Sequence, residues 1–203
     1  KDCLVSGNII TFTDTDGSLM ALKPDVTLSI VKGFREESQC VSRVAYDEKV
    51  YRVSSASSTF REITQVGLEC LGDIGNAQLG EVALLAQKSL KLISERSMLA
   101  ISHMDITEAF LLDISSLKAR KEALSYLEKR NISAMDKLVS DYPECSEAIM
   151  KLGSLMKLNG SNKETLSSLR AMGAEEKAVE ELEEIVSILD EEKVRIDFSV
   201  LGG

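Results

Sequence analysis

The sequence has few of the residues from which common catalytic centres are built. It contains one histidine, His103, in 203 residues. A zinc site with several histidine ligands is therefore excluded, and a cysteine or serine nucleophile would have only His103 as a histidine base. Neither a P-loop nor a GxGxxG fingerprint is present, which excludes those two nucleotide-binding motifs. We expect neither a metal ion nor a cofactor.

Closely spaced cysteines are also missing. The four cysteines are too far apart in sequence for a CxxC motif: Cys3, Cys40, Cys70 and Cys145. This spacing fits neither a zinc site nor a small disulfide scaffold. On a helix or a strand, a free thiol such as that of Cys40 or Cys70 behaves as a small apolar side chain. We expect reduced thiols and a cytoplasmic protein.

Long apolar runs and concentrated basic charge are absent too. No stretch approaches the roughly 20 apolar residues of a membrane span, and the first three residues carry no apolar signal run. The net charge is -9, and the lysines and arginines are spread along the chain, which argues against a nucleic-acid groove. Apolar residues make up 44% of the chain, as in ordinary soluble globular proteins. We expect neither membrane nor nucleic-acid binding.

The first half of the chain alternates strand and helix patterns. Asp16-Gly17 between two apolar runs predicts a β-hairpin over residues 8–23. The next helix is predicted over 27–37, with Asp25 or Thr27 as its N-cap. The remaining predictions are strands over 50–54, 61–71 (ended by Gly72) and 98–102, and a helix over 79–93.

The second half is mainly helical. Short helical patterns over 105–170, with stops at Pro143, Gly153 and Asn159-Gly160, predict a helical insertion. An amphipathic helix over 178–189 and an alternating strand over 194–200 follow. We therefore divide the chain into a first core part (1–104), the insertion (105–170) and a return to the core (171–203). We expect both ends to be cuts in a larger domain, because a buried strand needs neighbours.

Residues 65–69 carry the most informative pattern. Side chains two apart on a strand share a face, so Gln65, Gly67 and Glu69 point to one side. The opposite face is expected to pack onto helices through Val66, Leu68 and Cys70. A glycine between two polar side chains makes a notch, and glycine in a strand often marks close approach by a ligand. The alternative is a solvent-exposed face with an incidental glycine.

A second polar pattern precedes the first helix. Asp25 and Thr27 can hold a ligand ammonium group by charge-assisted hydrogen bonds. The alternative is simple N-capping of the helix that follows.

Together these segments resemble the histidyl-tRNA synthetase family in order and spacing. They are Leu22-Lys23-Pro24-Asp25-Val26-Thr27, then Val50-Tyr51-Arg52, then Phe60-Arg61-Glu62 leading into Gln65-Val66-Gly67-Leu68-Glu69. The resemblance covers residues 9–102 and 194–203, and the helical middle matches only in kind. It implies an α+β fold, with an antiparallel sheet flanked by helices, of the class II aminoacyl-tRNA synthetase type with a helical insertion.

The resemblance also assigns roles to individual residues. In the family's motifs, Asp25 and Thr27 correspond to positions near the histidine amino group, and Gln65 and Glu69 to positions around bound histidine. Arg52 corresponds to the motif-two arginine, which meets the ATP phosphate and the amino-acid carboxylate. The implied histidine site is Asp25, Thr27, Arg52, Gln65, Gly67 and Glu69. We expect its polar groups to converge above Gly67.

Two departures from the family pattern bear on activity. Motif two usually reads Arg-x-Glu, but Val53 and Ser54 follow Arg52, so the acid that contacts ATP is missing. Gly202-Gly203 stands where a synthetase usually reads Arg-Gly, and losing one such donor typically costs about two to three powers of ten in rate. The first and third family motifs are also absent from this chain. These departures favour a relative that catalyses nothing.

The family includes the regulatory subunit of ATP phosphoribosyltransferase, a synthetase-like protein of histidine biosynthesis. The resemblance implies that histidine is an effector and that the short-form catalytic subunit of ATP phosphoribosyltransferase is the partner. The intact protein would then be a homodimer or part of a hetero-oligomer. One alternative is a fragment of the catalytic core of histidyl-tRNA synthetase, which activates histidine with ATP. The other is a synthetase-like domain with a different binding role.

Overall fold

The computed structural model describes residues 9–34, 41–53 and 59–200. The chain forms two compact units, residues 1–78 and residues 79–203. The predicted division of the chain is into core and insertion rather than into compact units, so its three parts stay a prediction. Several predictions concern residues outside the described ranges, namely those on Cys3, Asn8, Glu37, Cys40, Ser54 and Gly202-Gly203.

The first unit opens with the predicted hairpin. Strands β1 (Thr11–Thr13) and β2 (Leu19–Ala21) pair antiparallel. In the turn, Gly17 N–H donates to the Asp14 carbonyl at 3.0 Å, and Gly17 has a φ of 86°, a conformation that glycine adopts readily. Helix α1 (Val26–Gly33) follows with Asp25 as its N-cap, which confirms that capping prediction. The helix ends at Gly33, earlier than predicted.

A long antiparallel ribbon forms the rest of the first unit. Strand β3 (Ser42–Val53) pairs with β4 (Phe60–Leu71) from Ser42–Leu71 at one end to Val53–Phe60 at the other. The predicted strand over 61–71 is confirmed, and Gly72 follows it with a φ of 114°. The predicted strand over 50–54 began too late, because β3 already begins at Ser42. Its first residues are rich in charge and mostly exposed, so pairing with β4 rather than an apolar pattern makes them a strand.

Helix α2 (Asn76–Ile93) begins in the first unit and continues into the second. In the second unit, strand β5 (Leu99–Ile101) pairs in parallel with β6 (Val194–Ile196), with Leu99 opposite Val194. The chain between these two strands is helical, as predicted for 105–170. The helices are α3 (Met104–Leu112), α4 (Leu117–Glu128), α5 (Ile132–Asp141), α6 (Ser146–Ser154), α7 (Asn162–Ala171) and α8 (Glu176–Ser187). Short 3-10 turns occur at Pro143–Cys145, Leu155–Lys157 and Glu191–Lys193.

The helices bury a large apolar core in the second unit, and Ala83, Leu189 and Val194 form a smaller cluster. The fully buried members of the large core include Ile106, Phe110, Leu127, Leu152, Leu169 and Phe198. Pro143 and Asn159-Gly160 lie between α-helices, as predicted. Helix α6 ends at Ser154, one residue after the stop predicted at Gly153. A Cβ there would stand 3.0 Å from the Met135 side chain, so the glycine lets α5 approach α6 closely.

Strand β6 is shorter than the predicted strand over 194–200. After Ile196 the chain turns, because Oδ1 of Asp197 accepts hydrogen bonds from the Ser199 N–H at 3.0 Å and its hydroxyl at 2.7 Å. Asp197 and Phe198 are both buried, whereas Val200 is exposed, so the alternation ends at the turn. Among residues 9–34, 41–53 and 59–200, no helix is long and apolar enough to cross a membrane.

Two polar side chains from the helical part of the chain, Asn162 and Arg130, hold β6 and the turn after it. The buried side chain of Asn162, at the start of α7, donates to the Val194 carbonyl and accepts from the Ile196 N–H, each at 3.0 Å. Arg130, which has a φ of 49°, forms an ion pair with Asp197 and donates to the Ser199 hydroxyl at 2.7 Å. Arg195 also pairs with Asp197, at 2.9 Å. The buried carboxylate of Asp197, paired with Arg130 and Arg195, therefore stabilises the turn after β6.

Candidate functional site

All six predicted site residues belong to the first unit. Because residues opposite each other in an antiparallel pair point to the same side, the register of β3 and β4 puts four of them on one face of the ribbon. These four are Arg52, Gln65, Gly67 and Glu69. The other two, Asp25 and Thr27, lie at the start of α1, and Thr27 contacts this same face.

Asp25 and Arg52 form the first pair of the site. One carboxylate oxygen of Asp25 accepts from the Leu28 N–H at 2.9 Å and so caps α1. The other accepts from Arg52 Nη2 at 3.0 Å. Arg52 Nε also donates to the Pro24 carbonyl at 2.9 Å. The capping alternative for Asp25 is thus realised, and Arg52 fastens the start of the helix to β3.

Thr27 and Glu69 form the second pair. The Thr27 hydroxyl donates to Glu69 Oε1 at 2.5 Å, and both side chains are partly buried. A part-buried carboxylate is able to accept hydrogen bonds from a charged ligand group. The predicted role of Asp25 and Thr27 in holding a ligand ammonium group stays a prediction. In the present structure Glu69 also links α1 to β4.

Gly67 and Gln65 meet a residue that the sequence did not single out. Tyr46 lies directly opposite Gly67 in the register, and a Cβ built on Gly67 would overlap the Tyr46 phenol. Gln65 Nε2 lies 3.4 Å from the Tyr46 hydroxyl. Gln65 Oε1 is buried and has no hydrogen-bond partner within the part of the chain that the structure describes. The notch predicted above Gly67 therefore holds an aromatic ring.

The expected packing of the opposite face of β4 was wrong. Val66 is 75% exposed, and Leu68 and Cys70 are only partly buried. The helix α1 contacts the face that carries Glu69 instead. The sequence alone misled here, because three alternating apolar side chains indicate a buried face only if another element covers them.

His103 and a separate cavity lie in the second unit. His103 Nε2 is 2.9 Å from Glu181 Oε2, with both side chains largely buried. The single histidine thus contacts α8. A cavity of about 210 Å³ lies between the second half of α2 and the turn before β6, bordered by Lys88, Lys91 and Lys193. It contains none of the predicted site residues.

Similarity to known proteins defines the family. A family model described as histidyl-tRNA synthetase matches residues 5–203. The chain belongs to the histidyl-tRNA synthetase family. This confirms the resemblance that the motifs around Asp25, Arg52 and Gln65 indicated.

Individual members of the histidyl-tRNA synthetase family are distant from this chain. An ATP phosphoribosyltransferase regulatory subunit from Ruminiclostridium cellulolyticum is 24% identical, over 96% of this chain and 49% of its own length. A histidine–tRNA ligase from Methanosphaerula palustris is 23% identical, over 93% of this chain and 45% of its own length. The chain thus spans about half the length of these curated relatives.

Solved structures of the histidyl-tRNA synthetase family share the fold. A protein from Bacillus halodurans, described as an ATP phosphoribosyltransferase regulatory subunit/histidyl-tRNA synthetase, superposes with a TM-score of 0.76 and 22% identity, covering 98% of this chain and 55% of that one. A chain of the ATP phosphoribosyl transferase (HisG:HisZ) complex from Thermotoga maritima gives 0.67 and 22%, covering 98% and 72%. The expected α+β, class II synthetase-like fold is confirmed.

Proposed function

We propose that this chain is part of a histidine-sensing regulatory subunit of ATP phosphoribosyltransferase and that it has no catalytic activity of its own. The observation that carries the proposal is the similarity, along nearly the whole chain, to relatives that bear that name. The catalytic subunit is then the partner, and histidine is the effector.

The state of Arg52 supports a role without catalysis. A motif-two arginine that binds ATP needs its guanidinium free for phosphate, whereas here Nε and Nη2 donate to Pro24 and Asp25. Two of the three guanidinium nitrogens are therefore already engaged within the chain, and Asp25, which one of them contacts, also caps α1. The sequence departures at Val53 and Ser54 point the same way, because the acid expected two residues after Arg52 is missing.

The chemistry of the polar face supports histidine as the ligand class. Glu69 supplies a part-buried negative charge and Gln65 supplies a buried acceptor, and both can accept from N–H groups of histidine. A protein that binds a ligand without transforming it acts by coupling that binding to a second molecule or site. The catalytic subunit fills this role.

The proposal is tested by mixing the intact protein with a purified short-form catalytic subunit. We expect the two to elute together in size-exclusion chromatography with light scattering. Histidine should inhibit phosphoribosyl transfer by the complex far more than by the catalytic subunit alone. By reciprocity, the partner should change histidine affinity by the same factor, typically about 5- to 150-fold. Absence of both association and altered activity would refute the proposal.

The second candidate is a histidyl-tRNA synthetase core. Relatives named histidine–tRNA ligase favour it, at identities similar to those of the regulatory subunits. Histidine-dependent exchange of pyrophosphate into ATP by the intact protein distinguishes the two, because only a synthetase forms the adenylate.

A further inference from the structure

The cavity beside the second half of α2 is a polar space within the second unit. Its volume of about 210 Å³ lies below the roughly 300–1,000 Å³ of pockets for drug-sized ligands, so it fits a small metabolite. Leu90 and Leu99 are the apolar members of its lining, and the other lining residues are polar or charged. None of the residues predicted for the histidine site takes part in it.

Two cross-links fix the walls of this cavity. The side-chain amide of Gln87 donates to the Asp190 carbonyl at 3.2 Å and accepts from the Asp190 N–H at 3.0 Å. Lys193 Nζ donates to the Glu95 carbonyl at 2.6 Å. These contacts join α2, and the turn that follows it, to the turn before β6. The cavity is therefore shaped by the chain itself and needs no ligand to form.

Three lysines line the cavity from two of its walls. Lys88 and Lys91 lie about one helical turn apart on α2 and so share a side of the helix, and Lys193 belongs to the turn before β6. Lys88 and Lys91 form no ion pair with any residue that the structure describes. The contact with Glu95 uses one of the three N–H donors of Lys193. In a chain with a net charge of -9, this cluster of ammonium groups favours an anionic ligand.

Two acids in the same lining narrow the class of ligand. Glu95 and Asp190 would repel a bare anion, because like charges at close range oppose binding. Their carboxylates are nevertheless good acceptors of hydrogen bonds from hydroxyl groups. A ligand that carries a phosphate at one end and hydroxyl groups at the other therefore matches both sets of side chains.

We infer that this cavity binds a small phosphate ester with free hydroxyl groups, such as a sugar phosphate. The phosphate lies among Lys88, Lys91 and Lys193, because ammonium groups on flexible stems can follow its oxygens. The hydroxyl groups donate to Glu95 and Asp190. The cavity is separate from the proposed histidine site, so the inference does not depend on the proposed function.

A purely structural role accounts for only two of the three lysines. Lys91 lies in the last turn of α2, where a positive charge offsets the partial negative charge of the helix carbonyls. Lys193 closes one wall through its contact with Glu95. Lys88 has neither role, so its substitution tests ligand binding without disturbing the walls.

Titration calorimetry of ribose 5-phosphate against the intact protein and its Lys88→Gln variant tests the site. We expect Lys88→Gln to bind about 10-fold more weakly or worse, the usual loss for one hydrogen bond from a charged group. Lys137→Gln is the matched control, because Lys137 is exposed on α5 and does not line the cavity. It removes the same charge and should bind within about twofold of the parent, since salt screens a distant charge.

Inorganic phosphate is the second probe, and it separates the ester from a simple anion. The parent should bind ribose 5-phosphate more tightly than phosphate, because only the sugar has hydroxyl groups for Glu95 and Asp190. Glu95→Gln should bind phosphate more tightly than the parent does, since a repelling charge is removed. The same variant should lose part of the preference for the sugar phosphate.

Three results would overturn the inference. The first is that neither probe binds the parent at millimolar concentrations. The second is that Lys88→Gln and Lys137→Gln weaken binding equally, which would mean attraction by overall charge alone. The third is equal affinity of the parent for phosphate and ribose 5-phosphate. If circular dichroism shows that Lys88→Gln does not fold, Lys91→Gln takes its place with the same expected loss.

Discussion

The hydroxyl of Thr27 donates a 2.5 Å hydrogen bond to Oε1 of Glu69 and so joins the first turn of α1 to β4. Both residues were predicted to contact a ligand, and in the structure they contact each other. Glu69 consequently combines two roles, since it fastens a helix and carries the negative charge proposed for ligand binding. Substitutions that separate these roles are available.

Thr27→Val should lower the free energy of unfolding by about 1–2 kcal/mol, because it removes one part-buried hydrogen bond to a carboxylate without changing the side-chain shape. Urea unfolding followed by circular dichroism measures the change. Thr64→Val is the control, since Thr64 is exposed on the opposite face of β4. An equal effect of both variants would mean that the Thr27–Glu69 contact contributes nothing.

Glu69→Gln should weaken histidine binding while preserving most of the stability. The amide oxygen can still accept from Thr27, but the negative charge is lost, which costs about 1.5–3 kcal/mol of binding free energy if Glu69 accepts a hydrogen bond from bound histidine. Titration calorimetry on the intact protein gives the affinity, and urea unfolding gives the stability. Unchanged affinity in a folded variant would remove Glu69 from the histidine site.

Asn162→Ala should lower the free energy of unfolding by about 2–4 kcal/mol. The substitution leaves the Val194 carbonyl and the Ile196 N–H without their partner in a buried place, and each unsatisfied group costs about 1–3 kcal/mol. Asn159→Ala is the matched control, because Asn159 is exposed between helices. If thermal and urea unfolding show the two variants to be alike, the amide of Asn162 does not hold β6.

Asp197 should make stability depend on acidic pH. Burial alone would raise the pKa of Asp197, but hydrogen bonds from Arg130 and Ser199 outweigh it and lower the pKa from 3.8 to about 2. A carboxyl with a depressed pKa in the folded state contributes stability above its unfolded pKa and loses it as pH falls through the folded value. The contribution of about 2 kcal/mol should therefore be lost between about pH 4 and pH 2.

Asp197→Asn tests this pH dependence. The variant cannot ionise, so its free energy of unfolding should vary less than the parent's over the same pH range. Asp136→Asn, on the exposed side of α5, should behave like the parent. Parallel curves for all three proteins would show that ionised Asp197 adds no stability.

The intact protein should show no histidine-dependent exchange of pyrophosphate into ATP. The acid expected two residues after Arg52 is replaced by Ser54, and the Arg52 guanidinium is already engaged by Asp25. A genuine histidyl-tRNA synthetase assayed in parallel is the positive control. Robust exchange by the intact protein would establish the synthetase alternative.

Local signals in the sequence predicted the parts of the fold that local chemistry determines. Asp16-Gly17 indicated the first hairpin, and the position of Asp25 before an apolar run indicated a cap. Alternation does not reveal which element covers a face, so the exposure of Val66 was missed. The turn at Asp197 was missed because the apolar alternation continues to Val200 in the sequence, whereas the hydrogen bonds from Ser199 to Asp197 end the strand at Ile196.

The candidate site was predictable in its membership but not in its contacts. Motif resemblance brought Asp25, Thr27 and Glu69 together, and the structure joins each of them to another part of the first unit. Tyr46 gave no signal, because its importance depends on the strand register that places it opposite Gly67. Which residues lie opposite each other on two strands can be stated only when the register of the strands is known.

The parallel pairing of β5 with β6 has a consequence for the order of folding. Leu99 and Val194 are neighbours in the sheet, yet the helices from α3 to α8 lie between them in the chain. Closing so long a loop costs entropy that short-range contacts do not. During synthesis the helices can thus assemble while β5 still awaits its partner, and the second unit is completed only when the segment around Val194 leaves the ribosome.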